Sequence, residues 1–366
     1  MIQFRCVRVH FLTNENQSSF NRNTMRPRLA TKFLSVLFFF SALPVFAEVL
    51  HYKGTTGKPG NGKTVVLVSG DEEYRSEEMV VQFGRILAKH HGFDCTVLFA
   101  IHPQTLEIDP VMVTNIPGLE ALQQADVAVF FLRFRDLPDE QMKHIDTYLQ
   151  SGKPVIGIRT ATHAFNIKEG AYKHYSFNYN GEKKDWQQGF GRKILGETWI
   201  AHHGAHGKEA SRGVVAPEQK EHPIVRGCAD VFGPTDVYTV RLPLPEDSVP
   251  LMLGAVLEGM NATDKPVQNE KNQPMMPIAW LKSYNIETEG KKVTGTAFTS
   301  TIGSSQDFSS EGVRRMFVNA VYFLTGLESA ISENAEVGIV GTFEPLPMGF
   351  GAFKKGLKPQ DLRENW

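Results

Sequence analysis

The residues best able to do chemistry fall into a few short stretches. "PVIGIRTATHAF" (154–165) reads as an apolar strand, Pro154 to Ile158, running into a tight turn and then a helical segment. In many α/β enzymes that geometry is a nucleophile elbow. Here the turn carries Arg159, Thr160, Thr162 and His163, with neither Ser nor Cys. Arginine stays protonated at neutral pH and cannot serve as base or nucleophile. It can clamp a carboxylate, a pair of sugar hydroxyls or a developing enolate. His163, one turn on, is the better candidate for proton transfer, and a helix-entry residue bonded to backbone is the equal alternative. "PTDVYTV" (234–240) places Asp236 and Tyr238 on one face of an extended chain. The pair could do acid/base work, or the aspartate could simply satisfy a half-buried tyrosine hydroxyl. The expected catalytic group is therefore His163, Asp236 and Tyr238.

"HHGAHG" (202–207) brings His202, His203 and His206 close in sequence. Imidazole is a common metal ligand, yet the spacing is not HExxH and no carboxylate stands at a known offset. With 12 His in the chain, chance clustering competes. Hydrogen bonding to substrate, with His203 as the contact, is expected ahead of a divalent metal, so no metal and no cofactor is assigned. Asp307, Ser309 and Ser310 in "TSTIGSSQDFSSEG" could be helix caps or site residues.

These groups need a scaffold that gathers them. "KTVVLVSG" (63–70), "FDCTVLFA", "DVAVFFLRF" and "PVIGIRT" are apolar runs of the kind buried on both faces of a sheet. Between them lie helical patterns at 76–92, 118–125 and 137–153, the first with Ser76 as N-cap and Gly92 past its end. This βαβαβαβ order predicts a doubly wound, mostly parallel α/β sheet with helices on both faces. Ligands bind beyond the carboxyl ends of such strands. Asp71 and Glu73 follow the first strand, Arg133 and Arg135 the third, Arg159 and Thr160 the fourth, so these are the expected substrate contacts. The plain alternative is that the acids pair with Arg75, Arg133 or Arg159. "SGDEEYRS" is not GxGxxG, and P-loop spacing is absent, which removes dinucleotide and P-loop readings. The second half is less regular. It reads as a loop entering a short strand at 189–207, strands near 248–259, 274–284 and 291–301, and a final helix at 309–328.

The order of "VVLVSGDEEYRSEE", "ADVAVFFLRFRDLPDEQMKHIDTYLQSGKPVIGIRTATHAF", "HHG", "EHPIVRG", "TDVY", "PIAWLKSY" and "VNAVYFLTGLE" resembles the ThuA-like (trehalose utilisation) family over residues 63–328. The resemblance implies a class I glutamine amidotransferase-like fold of flavodoxin-like architecture. It also implies an association with disaccharide and keto-sugar metabolism. In true amidotransferases the elbow carries Cys, with His and Glu on the late strand–helix loop. This chain has Arg159 at the elbow and "TIGSSQDF" in the late loop, so glutamine hydrolysis by a thiol is not implied. Typical ThuA-like proteins have His at the elbow and often Gly-His in the late loop, and the chain departs from both. The resemblance thus implies a protein acting on or binding a sugar or keto-sugar by acid/base chemistry. The alternative is a non-catalytic carbohydrate-binding or scaffold protein on a degenerate fold.

The chain has 366 residues, 41% hydrophobic and 22% charged, with a formal net charge of -1. Nothing in that balance points to nucleic acid or an anionic membrane as the main partner. From Met25, the basic Arg26, Arg28 and Lys32, the apolar Phe33–Leu43 and Val45-Phe46-Ala47 form a signal-peptide pattern with cleavage after Ala47. Residues 1–47 are thus expected to be leader, 48–62 linker and 329–366 an extended tail. The protein is expected to be exported to the periplasm or secreted, with no membrane span after cleavage. The exported form with a Gly/aromatic tail resembles planctomycete-type members. A carbohydrate is the expected small-molecule partner, and a homo-oligomer is compatible with the sequence. Beyond the leader, Cys95 and Cys228 remain. They could form one disulfide, but Cys95 reads as a buried free thiol.

Overall fold

A computed structural model describes residues 49–288 and 290–363. The leader expected over 1–47 lies outside the described residues. The strands are β1 (Leu50–Tyr52), β2 (Thr64–Gly70), β3 (Asp94–Phe99), β4 (Val127–Leu132), β5 (Val155–Ile158), β6 (Ser211–Val215), β7 (Phe232–Gly233), β8 (Ser248–Val256), β9 (Met276–Thr288) and β10 (Lys291–Ser300). The α-helices are α1 (Ser76–Ile86), α2 (Asp139–Gln150) and α3 (Glu311–Leu324).

One ten-stranded sheet runs β1-β3-β2-β4-β5-β10-β9-β8-β6-β7. Neighbours among β3, β2, β4, β5 and β10 are parallel, and every other pair is antiparallel. The parallel strands are Val-, Ile- and Phe-rich and buried on both faces, as their unbroken apolar runs require. One face packs against α1 and α3 through Met79, Phe83, Met316 and Phe317. The other packs against α2 through Met142, Ile145 and Leu149. The α/β sheet with helices on both faces is thus present, and the irregular second half of the chain adds the antiparallel wing. Among the described residues no helix is long and apolar enough to cross a membrane.

Several local features differ from the expected pattern. The stretch expected to be a linker contributes β1, because Leu50 and Tyr52 alternate inward and pair with β3. Ser76 does not cap α1. Its hydroxyl turns back to Ser69 Oγ and to the backbone of Asp71, and the N-cap position falls to Arg75 in the left-handed region. Gly92, at φ 81°, ends the helical run after a π-helical turn, as expected. Residues 189–207 hold a π-helical turn and a single bridge, His202 to Tyr238, where a short strand was expected. Cys95 and Cys228 are both free. The tail lies against the α1 face: Leu346 N–H donates to Glu78, Met348 N–H to Gln306, and the Leu362 carbonyl accepts from Tyr52 and Arg85.

The first turn of α1 buries the Glu77 carboxyl, and among the described residues neither of its oxygens has a well-formed hydrogen bond. Arg75 Nη1, 3.9 Å away, is too far to satisfy it. Burial pushes the Glu77 carboxyl up to about 8. The folded state therefore keeps a proton that the unfolded chain releases above its ordinary value of 4.5. This contribution to stability is full below pH ~4.5 and is lost as pH rises towards about 8, by at most ~1.4 kcal/mol per pH unit. Glu77→Gln is expected to remove that slope. Urea midpoints of wild type and variant should converge at pH 5 and separate in favour of the variant at pH 8. Parallel curves would contradict the assignment.

Candidate functional site

In the sheet order, β3 and β4 flank β2 on opposite sides, so the loops after β2, β4 and β5 open around one crevice. At the end of β5 the chain turns sharply into a 3₁₀ segment, Arg159–His163, with Arg159 at φ 45°. A non-glycine residue in the left-handed region is strained, and this is the elbow position. Gly191 lets a later loop close on the elbow: a Cβ there would sit 2.2 Å from the Thr162 carbonyl. The close approach brings Trp199 N–H within 3.3 Å of that carbonyl.

Arg159 points inward and has no exposed surface. Its guanidinium lies between the rings of Tyr74 and Tyr238, 4.1 and 4.5 Å from their centroids. Nη2 donates to Asp236 Oδ1 (3.0 Å), and Nη1 to the Asp236 and Thr301 carbonyls (3.2 and 2.6 Å). The expected substrate clamp thus grips the protein itself and fixes Asp236. The Tyr74 hydroxyl is buried near Tyr238 without a well-formed hydrogen bond.

Asp236 is the hub. His202 Nδ1 lies 2.7 Å from Oδ2 and His206 Nδ1 3.0 Å from Oδ1. Burial alone would raise its carboxyl. The His202 hydrogen bond, the Arg159 charge and the His206 hydrogen bond override burial and hold it at about 2. Asp236 is fully buried, whereas the two imidazoles are 38% and 37% exposed at the crevice. His206 Nε2 sits 3.5 Å from Glu73 Oε1, and Glu73 Oε2 lies 3.3 Å from Arg133 Nε. His202, His206 and Asp236 each offer a ligand atom, and the three atoms lie within 4.8 Å of one another.

His163 is not brought to Asp236. It is buried against Phe134, Trp199 and Tyr238, with ring centroids 4.8, 5.5 and 6.3 Å away, and its Nδ1 meets Thr162 Oγ1. Burial, with the Arg133 and Arg159 charges behind it, keeps its imidazole well below the usual range and neutral. Tyr238 stays in the site as one wall of the Arg159 sandwich.

Other expected contacts hold the loops. Asp71 accepts from the Glu73 and Tyr74 amides and from Thr160 Oγ1 (2.5 Å), so Asp71 and Thr160 satisfy each other. Arg135 is buried and donates to Glu72 and to the Arg133, Pro110 and Met112 carbonyls. Arg133 pairs with Glu72 and Glu73 and remains partly open to solvent. His203 turns away and donates to the Lys271 carbonyl. Asp307 accepts from Thr235 and from the Gly303 and Ser304 amides, which makes it a loop anchor.

The crevice also holds residues that the motifs did not single out. Phe134, Phe177 and Trp199 form an aromatic wall around His163. The tail adds Phe350, 64% exposed, whose ring lies 5.0 Å from the Arg133 guanidinium. Gly349 and Gly351, at φ 135° and 74°, allow the turn that presents it, and the Gly349 amide donates to the Glu73 carbonyl. No local pattern marks these aromatics, since each reads equally well as core.

The family model for trehalose utilisation, ThuA, matches residues 64–324. Among solved structures, a ThuA-like protein from Parabacteroides merdae ATCC 43184 aligns at 13% identity and TM-score 0.38, covering 83% of this chain and 99% of its own. A structure described as the mmIFT52 N-terminal domain aligns at 13% identity and TM-score 0.34, covering 72% and 97%. A comparison with curated proteins found no match. The family match takes in the sheet from β2 through α3, with the elbow, the histidine loop and Asp236 inside it, and the chain belongs to the ThuA family.

Proposed function

We propose that this is an exported protein that binds and acts on a sugar or keto-sugar at the crevice, with His202 and His206, held by Asp236, as its acid/base groups. The observation that carries the reading is one buried, ionised carboxylate holding two half-exposed imidazoles at the carboxyl ends of the parallel strands. A carboxylate that accepts Nδ1–H orients the ring; at His202 this leaves Nε2 for a substrate proton, whereas the His206 Nε2 faces Glu73 Oε1 at 3.5 Å. The aromatic wall and Phe350 suit a sugar ring, whose C–H faces stack on aromatics while its hydroxyls reach the polar rim.

A panel of disaccharides, their 3-keto derivatives and sugar acids would test this by thermal shift and product analysis. A keto-sugar is expected to raise the melting temperature of wild type and not of His202→Ala. Phe350→Ala is expected to weaken binding of that ligand about tenfold, or ~1.4 kcal/mol, by titration calorimetry. Arg133, Arg135 and Arg159 all have carboxylate partners, which favours the second reading, a scaffold or binding protein without turnover. A ligand that binds but is returned unchanged would support that reading. A protein indifferent to every sugar would remove the carbohydrate proposal.

A further inference from the structure

We propose that His202, His206 and Asp236 form a binding site for a divalent transition-metal ion. The inference rests on the same crevice as the proposed function, but its test uses no sugar, so the two fail separately. Two imidazoles and one carboxylate form a donor set that suits first-row metals and leaves coordination positions open. Here the open side is the solvent side, because both imidazoles are more than a third exposed while the carboxylate lies beneath them.

Three further features suit a metal at this cluster. The first is spacing. One ligand atom from each of the three residues lies within 4.8 Å of the others, close enough for one ion to reach all three with small side-chain shifts. The second lies behind His206, whose other nitrogen faces Glu73 Oε1 at 3.5 Å. A metal-bound histidine commonly gives its second N–H to a carboxylate in this way, which fixes the ring and strengthens the ligand. The third lies behind Asp236. Arg159 holds Oδ1 from the buried side and leaves Oδ2 with His202 as its hydrogen-bonding partner. The guanidinium charge also opposes a cation, so the site binds more weakly than a structural zinc site, and the Asp236 and Glu73 carboxylates offset that charge. On binding, each imidazole offers Nδ1 to the ion and carries its proton on Nε2: a neutral ring shifts its proton from Nδ1 to Nε2, and a protonated ring releases the Nδ1 proton to solvent.

The test is titration calorimetry of chelator-stripped protein with Mn²⁺, Co²⁺ and Zn²⁺, with the visible spectrum of the Co²⁺ form as a second readout. One equivalent is expected, with cobalt d–d absorption that grows to saturation at that equivalent. His202→Ala and His206→Ala should each weaken binding more than tenfold. Glu73→Gln should weaken it about tenfold with an unchanged circular dichroism spectrum. His203→Ala should bind as wild type does, because that ring faces the Lys271 carbonyl. Wild type without stoichiometric binding would overturn the proposal. So would binding that survives loss of His202 and His206 together, or binding lost in His203→Ala but kept in the other two.

Discussion

Replacing Asp236 by alanine is expected to destabilise the protein by about 3–5 kcal/mol, the range for removing one partner of a fully buried ion pair. Neither side chain of the Arg159–Asp236 pair has exposed surface. Without the carboxylate, the Arg159 guanidinium keeps the Tyr74 and Tyr238 faces and two carbonyls but no directly paired carboxylate. Its Nε already lacks a partner, so the site has no spare acceptor to take up the loss. The guanidinium also lies between the Tyr74 and Tyr238 rings with no exposed surface, so the side chain cannot easily swing to water. Removing both charges together, as Arg159→Met with Asp236→Leu, should recover much of the stability, since a well-packed apolar pair can equal a buried ion pair. Urea denaturation of the three variants measures this. An Asp236→Ala cost below about 1 kcal/mol would mean that the arginine is not held as described.

The second large effect concerns turnover. On whichever sugar or keto-sugar proves to be processed, His202→Ala is expected to lower kcat by about 10²–10⁴, the span supplied by a positioned acid/base group. KM should move far less. His163→Gln should cost much less in kcat, because the His163 ring is buried, neutral and without a carboxylate partner. The pair of variants separates two assignments that the chain's motifs leave open. If proton transfer runs through the elbow histidine, His163→Gln loses as much as His202→Ala, and the imidazoles on Asp236 are then bystanders.

The contrast between the two histidines shows what local pattern carries. Val65–Val68 and Val127–Leu132 are apolar without interruption, and only a strand covered on both faces tolerates that. The helices at 76 and 139 repeat apolar residues at helical spacing. These periodicities read out the parallel half of the sheet and the crevice at its carboxyl edge. The antiparallel wing was harder, because β6 and β7 are short and partly exposed and their pairing partners lie far away in sequence.

The sequence by itself determined the α/β sheet, the elbow after β5, the absence of a thiol nucleophile there, and the set of polar residues that surrounds the crevice. It did so because each depends on residue type and on periods of two or of 3.6 residues. Only the tertiary structure decided which charges meet. Arg159 and Asp236 are 77 residues apart, and His202 joins them from a third segment. Whether Arg159 reaches outward to a ligand or inward to a carboxylate depends on the space between Tyr74 and Tyr238, which exists only once β2, β5 and the 234–240 segment are packed together. Desolvation then does the rest. In that dry space an arginine without a counter-charge is costly, so Asp236 is drawn against the guanidinium, and His202 and His206 are left at the surface.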